Sequence, residues 1–556
     1  MPSELYCLGY DFGTESGRAL LVNVRTGEEV ATSVLPYEHG VIEDVLPGAD
    51  TELGHGWALQ NPGDYLEVLR EVTPAVLKKA GARAEEVIGI GIDFTACTVL
   101  PTDAIGEPLC LKPEFKAEPN AWVKLWKHHG AQPQTELINE LVSERGETFL
   151  ERYGGKISSE WLFPKALQIL QESPEVYAAA ERIIEAGDWL VWKLTGEEKS
   201  SACQAGYKAC WSSRDGYPSA DFLGALDERF GDVVETHLSE DIHAPGTLAG
   251  ILTPTMAHEI GLVPGIPVAV SIIDAHAAVP ACTGSTNQLV MILGTSFCHL
   301  LLEEEETLVP GCCVVENGIL PGYFGYEGGQ AAGGDIFAWF LENALPRKYH
   351  DEAASAGASI HDLLERKAAA LKPGETGLLA LDWWNGNRSV LVDADLSGLI
   401  LGYTMNTKPE QIYRALLEAT AFGTRKIIRT METSGLSIES CIACGGLPDK
   451  NLLLMQIFAD VTGREFRICA SEQASALGAA MLGSLAAGSQ NGGFDSLADA
   501  SKVISRLKEE TISPVAAHTK IYAGLFAEYE RLHDYFGRGE NPVMKTLRKG
   551  RSAEAS

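Results

Sequence analysis

The 556-residue chain is short of basic residues: 44 Lys and Arg stand against 76 Asp and Glu, a formal net charge of −32. So acidic a surface repels phosphate polymers and anionic headgroups, and no basic patch offsets it, so neither nucleic acid nor a membrane is an expected partner. Long apolar runs are also missing. None approaches the roughly 18 residues of a membrane span, and residues 1–10 carry Glu4 with no Lys or Arg, unlike a secretory signal. Cysteine motifs are scarce: the chain has a lone Cys441-x-x-Cys444, and its twelve cysteines are spread over more than 450 positions, most inside apolar segments, as at Cys7, Cys97, Cys282 and Cys298. Such usage suits a reduced, cytoplasmic enzyme, and without a second pair at zinc spacing no metal or redox role is expected of Cys441 and Cys444. There is no Walker A loop. Gly155-Lys156-Ile157-Ser158 lacks its spacing, which disfavours a P-loop nucleotidase.

What is present is ample core material: 45% hydrophobic and 22% charged residues describe a folded globular chain, long enough for two large domains or for three or four small ones. Residues 5–23 read as two short strands joined by the polar turn Asp11-Phe12-Gly13-Thr14-Glu15-Ser16-Gly17-Arg18, with a third strand at 30–35. Asn61-Pro62 opens a helix that Gly81 closes, and the apolar run 87–94 suits a strand buried on both faces. Helical patterns follow at 135–153 and 158–195, the latter interrupted at Pro164 and Pro174. Prolines and glycines crowd residues 244–267, and the first domain is expected to end soon after, at 282, with a second over 283–540 and a frayed, locally basic tail over 541–556. The opening device then returns as a strand at 289–293, the turn Gly294-Thr295-Ser296, and a strand at 297–302. Alternation of strand and helix points to α/β layers.

Four places could carry chemistry. In the first turn Gly13 and Gly17 let a backbone approach an anion, Thr14 and Ser16 supply hydroxyls, Arg18 lies near, and Asp11 can hold a divalent cation through water; a solvated hairpin loop explains the same residues. Asp274, after the apolar Ser271-Ile272-Ile273, is placed either as a general base at a strand end or as a helix cap, and His276 reads as a packed core residue. Gly445-Gly446, ahead of a helical pattern at 452–462, could let a flat ring lie on the backbone or could be a plain turn. Glu327, in Glu327-Gly328-Gly329-Gln330-Ala331-Ala332-Gly333-Gly334, reads as a lone carboxylate in a glycine-rich turn before a helix.

In this order the segments resemble the FGGY carbohydrate kinases of the actin-like ATPase superfamily over about residues 5–490. Two longer stretches make the likeness specific. Ser159-Glu160-Trp161-Leu162-Phe163-Pro164-Lys165 resembles the first family signature, and Gly398-Leu399-Ile400-Leu401-Gly402 with Gln411-Ile412-Tyr413-Arg414-Ala415-Leu416-Leu417-Glu418 the second, Tyr403 departing from it. The resemblance implies two actin-like (ribonuclease H-like) α/β ATPase domains flanking a deep cleft, with ATP held mainly by the second and a sugar mainly by the first. By the same resemblance Asp11, Gly13, Thr14, Ser16 and Arg18 form the first phosphate motif, Gly294, Thr295 and Ser296 the second, and Gly445 and Gly446 the adenosine motif. Asp274 is then the catalytic base and Asp11 water-linked to Mg²⁺. Ala96, Lys208, Asp274 and Glu327 are implied to contact a ketopentose, Lys208 having a surface charge as its plain alternative. The likeness is closest to members acting on L-ribulose in arabinose use, with D-ribulose, ribitol or a related acceptor, or a non-catalytic sugar sensor, as alternatives. The small Ala96 leaves room for several epimers. One stretch departs: many relatives carry Trp-x-Asp-x-Arg where this chain has Trp126-Lys127-His128-His129-Gly130. A homodimer is expected only because two-fold assemblies are common.

Overall fold

The computed structural model describes the backbone of residues 4–554 and the side chains of 4–548. Two seven-stranded sheets organise it. In the first, Tyr6–Phe12 pairs antiparallel with Ser16–Asn23, which pairs antiparallel with Glu29–Pro36, and Val87–Phe94 runs parallel on the free side of Tyr6–Phe12. In the second, Gln288–Leu293 pairs antiparallel with Phe297–Glu303, which pairs antiparallel with Phe324–Gln330, and Ser440–Cys444 runs parallel on the free side of Gln288–Leu293. The short likeness between the two hairpins is therefore the visible part of a four-strand repeat. Parallel neighbours cannot be joined by a tight turn, so each sheet reaches its parallel strand through a helical crossover, containing Pro62–Ala80 in one and Pro409–Thr433 in the other.

The first crossover helix begins as its sequence dictates: Asn61 accepts a hydrogen bond from the Gly63 amide at 2.9 Å, Pro62 needs no amide partner, and Gly81 closes the helix at φ +66°. Val87–Phe94 is buried at every position but Ile88, as a strand covered on both faces requires. One covering element comes from far along the chain. The helix Ala474–Ala487 lies on Tyr6–Phe12 and Val87–Phe94 and against the helix Asp274–Cys282. Glycine sets that approach: a Cβ on Gly91 would stand 1.8 Å from the Ala479 carbonyl oxygen, and one on Gly478 1.7 Å from that of Ala277. Only hydrogen fits there.

Several local expectations need correction. Pro164 does not interrupt a helix; it lies in the first turn of Leu162–Glu172, where amides have no intrahelical partner, and Pro174 opens the short helix Pro174–Ala179. Within the stretch expected to be helical, Arg182–Glu185 is a strand paired with Val99–Thr102, because Ile183-Ile184 suits either period and the neighbouring strand decides. The helix expected over 135–153 spans Gln132–Arg145. Glu327 lies within the strand Phe324–Gln330 rather than in a turn. The tail, expected to fray, contains the helix Val543–Glu554, with Met544 buried and Lys545 Nζ 2.5 Å from Asp393.

Candidate active site

The first hairpin turn is tighter than its sequence suggests, and the second is as expected. Asp11 and Arg18 are opposite each other in the paired strands, with Arg18 Nε 3.3 Å from Asp11 Oδ2, so the turn proper is Gly13-Thr14-Glu15, closed by the Gly13 amide on the Ser16 carbonyl at 3.0 Å. Its carbonyls are tied back: Tyr37 donates its hydroxyl to Gly13 O at 2.9 Å and its amide to Glu15 O at 3.0 Å, and Gln60 donates to Thr14 O at 2.7 Å. The Gly294-Thr295-Ser296 turn repeats this. Gly294 N reaches Ser296 O at 3.2 Å, Gly334 N donates to Gly294 O at 3.0 Å, and Gly333 N to Thr295 O at 2.9 Å. With the oxygens engaged behind them, both turns are left to offer amide and hydroxyl donors to an anion. Gly445 sits beside the second turn at φ +96°, where a Cβ would stand 2.7 Å from Leu293 O, while a Cβ on Gly446 would meet nothing within 4 Å. Of the pair, only Gly446 faces open space beside the second turn.

Three carboxylates gather near the first turn. Strand register places Asp93 opposite Asp11, and Ile272 opposite Asp93, so Asp274 follows two residues later as the first residue of the helix Asp274–Cys282. Asp274 is half-buried and its Oδ1 accepts from the Ala275 amide at 2.7 Å. It is not the helix cap, a position held by Ile273. Burial pushes its carboxyl up to about 7, the negative Asp11 adding to this and the Ala275 amide and Lys208 opposing it. Asp93 is the residue the sequence reading missed. It is fully buried, and burial, followed by the charges of Asp11 and Asp274 and a side-chain hydrogen bond with Asp11, holds it well above the carboxylate range. The available signal was an acid inside an otherwise apolar strand.

Lys208 is a buried residue, not a surface charge, and its Nζ lies 3.3 Å from Glu327 Oε2. Glu327 also meets Arg388 Nη2 through its other oxygen, and His276 Nε2 approaches it at 3.2 Å. Burial, together with Lys208 and Arg388, lowers the His276 pKa well below its usual value, so the ring is neutral. Arg388, 37% exposed, was not anticipated, because nothing in Asn387-Arg388-Ser389 distinguishes it from a loop arginine. Ala96 follows the strand Val87–Phe94 and is partly buried. Its loop and the Trp126 loop are held together by the buried Lys165, whose Nζ donates to Cys97 O at 2.5 Å and to Leu125 O at 2.8 Å. Trp126 in turn donates from Nε1 to Thr14 Oγ1 at 3.0 Å, linking its loop to the first hairpin turn. His128 faces the core, its Nε2 2.9 Å from Gln168 Oε1 and its Nδ1 accepting from the Ala58 amide at 3.3 Å. Cys441 and Cys444, three apart on one strand, enter two different cores.

Among the described residues no group of three or more His, Cys, Asp or Glu side chains could hold a metal ion by protein ligands alone. Asp11, at the end of its strand beside the first hairpin turn and bonded to Asp93, would be the residue to hold a magnesium ion, which would take its other ligands from elsewhere.

The family model described as the FGGY family of carbohydrate kinases, N-terminal domain, matches residues 6–280, and its C-terminal counterpart matches 289–487. The chain is 57% identical to a ribulokinase of Geobacillus thermodenitrificans, over 98% of this chain and 96% of that one. It is 47% identical to a ribulokinase of Mycolicibacterium smegmatis, over 98% and 96% respectively. Among solved structures, a xylulose kinase from Rhodospirillum rubrum superposes with a TM-score of 0.77 at 22% identity, over 95% of this chain and 98% of that one. A Plasmodium falciparum glycerol kinase with ADP superposes at 0.73 and 18% identity, over 95% and 98%.

Proposed function

The chain belongs to the FGGY family of carbohydrate kinases, and from that membership we propose that it is an ATP-dependent ribulokinase, forming L-ribulose 5-phosphate from L-ribulose in arabinose use. The observation that supports this most is the position of Asp274. Its half-buried carboxylate feels both Asp11, of the first phosphate turn, and Lys208, of the pocket with Glu327. A proton acceptor between a phosphate turn and a polar pocket is what transfer from ATP to an alcohol requires.

In this reading the sugar lies against Ala96, Lys208 and Glu327, with its terminal O5 hydroxyl toward Asp274. Asp274 takes the hydroxyl proton as O5 bonds to the γ-phosphorus; the bond from that phosphorus to the β,γ-bridging oxygen breaks, and ADP leaves. The Gly13-Thr14 and Gly294-Thr295-Ser296 turns receive the phosphates, Ser16 and Arg18 flank the first turn, and Gly445-Gly446 receives the adenosine. A magnesium ion near Asp11, when bound, neutralises phosphate charge. An acceptor titrating at about 7 is ionised in useful amount at neutral pH while remaining basic enough to take the proton. Most of the remaining rate enhancement falls to alignment and charge neutralisation.

The test is an ADP-release assay over L-ribulose, D-ribulose, L-xylulose, ribitol and glycerol. L-ribulose is expected to give the highest kcat/KM, with a second pentulose epimer measurable because Ala96 leaves space. Preference for glycerol or a pentitol by tenfold would overturn the ribulose assignment. A homodimer and a cytoplasmic setting belong to the same proposal, the former checked by light scattering.

A further inference from the structure

We infer that Asp188 is a positioning residue that holds the proton acceptor Asp274 and the sugar-contacting Lys208 in one fixed relation. Asp188 is the third residue of the helix Ala186–Thr195 and is 3% exposed. Its two oxygens serve two segments: Oδ1 accepts from Ser271 Oγ at 2.6 Å and Oδ2 from the Ser201 amide at 3.0 Å. The serines are joined directly, Ser201 Oγ donating to the Ser271 carbonyl at 2.7 Å. Ser201 also caps the helix Ala202–Ala209, its hydroxyl accepting from the Cys203 amide at 3.2 Å, and Lys208 stands near the end of that helix. Ser271 precedes Ile272–Ile273, and Asp274 follows at once.

One buried carboxylate therefore sets the start of the helix that carries Lys208 and the approach to the helix that begins with Asp274. Ser201 and Ser271 are fully buried, so neither donor has water as a substitute partner. Both tethers are short in sequence, so a small change in the Asp188 bonds moves Asp274 and Lys208 relative to each other. An angstrom-scale error of that kind lowers turnover without unfolding the chain. The inference rests on Asp274 as the proton acceptor and adds the group that aims it.

The test is Asp188→Asn in the full chain, with kinetics referred to active sites counted by nucleotide binding in a calorimeter. An asparagine that accepts from the Ser201 amide turns its NH2 toward Ser271, whose hydroxyl loses its buried acceptor and must receive a hydrogen bond instead of donating one. The expected result is kcat lower by about tenfold, KM for the pentulose higher by about fivefold, and KM for ATP within about twofold of the parent. A residue that merely stabilised the fold would lower the count of active sites and leave kcat per site and the sugar KM alone, and that result overturns the inference. Should Asp188→Asn not fold, Ser271→Ala, which removes one hydroxyl, decides by the same split with smaller changes. Asp274→Asn is run beside them. If it keeps turnover, the proton-acceptor reading fails and this inference with it; if it is inactive while Asp188→Asn and Ser271→Ala match the parent per site, only this inference fails.

Discussion

Replacing Asp274 with asparagine should stabilise the protein at alkaline pH while removing its activity. In the unfolded chain this carboxyl titrates near 3.8, and in the folded chain burial and Asp11 carry it to about 7. Between these values the folded state binds the proton and the unfolded state does not, so stability falls as pH rises through the interval, and the loss is complete above about pH 8. At about 1.4 kcal/mol per pH unit the full interval is worth about 4 kcal/mol. Asp274 is only half-buried, so water screens part of this, and about 2 kcal/mol is the better expectation. Asparagine carries no charge and can keep the bond from the Ala275 amide, so the variant escapes the loss. Thermal melts of parent and variant at pH 4.5 and pH 8 read it out: little difference at the lower pH and a midpoint higher by about 2 °C at the upper one. A variant no more stable than the parent at pH 8, or equally stabilised at both values, would refute the reasoning.

The same titration predicts that kcat/KM for the sugar falls tenfold per pH unit below an apparent pKa near 7, measured by initial rates from pH 5 to 9; a flat acid side would exclude a carboxylate this perturbed. Lys208→Met should raise KM for the pentulose by at least about tenfold and leave KM for ATP within about twofold, because the charge of Lys208 is paired with Glu327 and with neither hairpin turn. Gly478→Ala should cost about 3 kcal/mol or more, or prevent folding, since its Cβ would stand 1.7 Å from the Ala277 backbone oxygen with no flexible side chain to yield. Denaturant midpoints measure that loss.

The sequence exposes the parts of this molecule that local chemistry controls. The two glycine-containing turns, the Asn61 cap and the doubly buried Val87–Phe94 strand follow from turn geometry, capping and an unbroken apolar run, and each is found where those rules put it. Membership of the FGGY family was legible from motif order. What was hidden depends on partners remote in sequence. Arg182–Glu185 is a strand because Val99–Thr102 pairs with it, and Glu327 lies in a strand because Phe297–Glu303 draws it there. Asp93 is significant only once strand register sets it between Asp11 and Asp274, and Arg388 only once its loop reaches Glu327. The burial of His128 is equally invisible in one dimension, since its partner Gln168 lies on a helix forty positions away. The crossing of Ala474–Ala487 over the first sheet has a sequence trace in Gly91 and Gly478, but those glycines name no partner by themselves.

The most direct test of the central claim is Asp274→Ala, measured by calorimetry for binding of L-ribulose and of a non-hydrolysable ATP analogue, and by ADP release for turnover. The account predicts that both ligands bind within a few-fold of the parent while turnover falls by at least about 10²-fold. Turnover close to the parent, with both ligands bound, would contradict it.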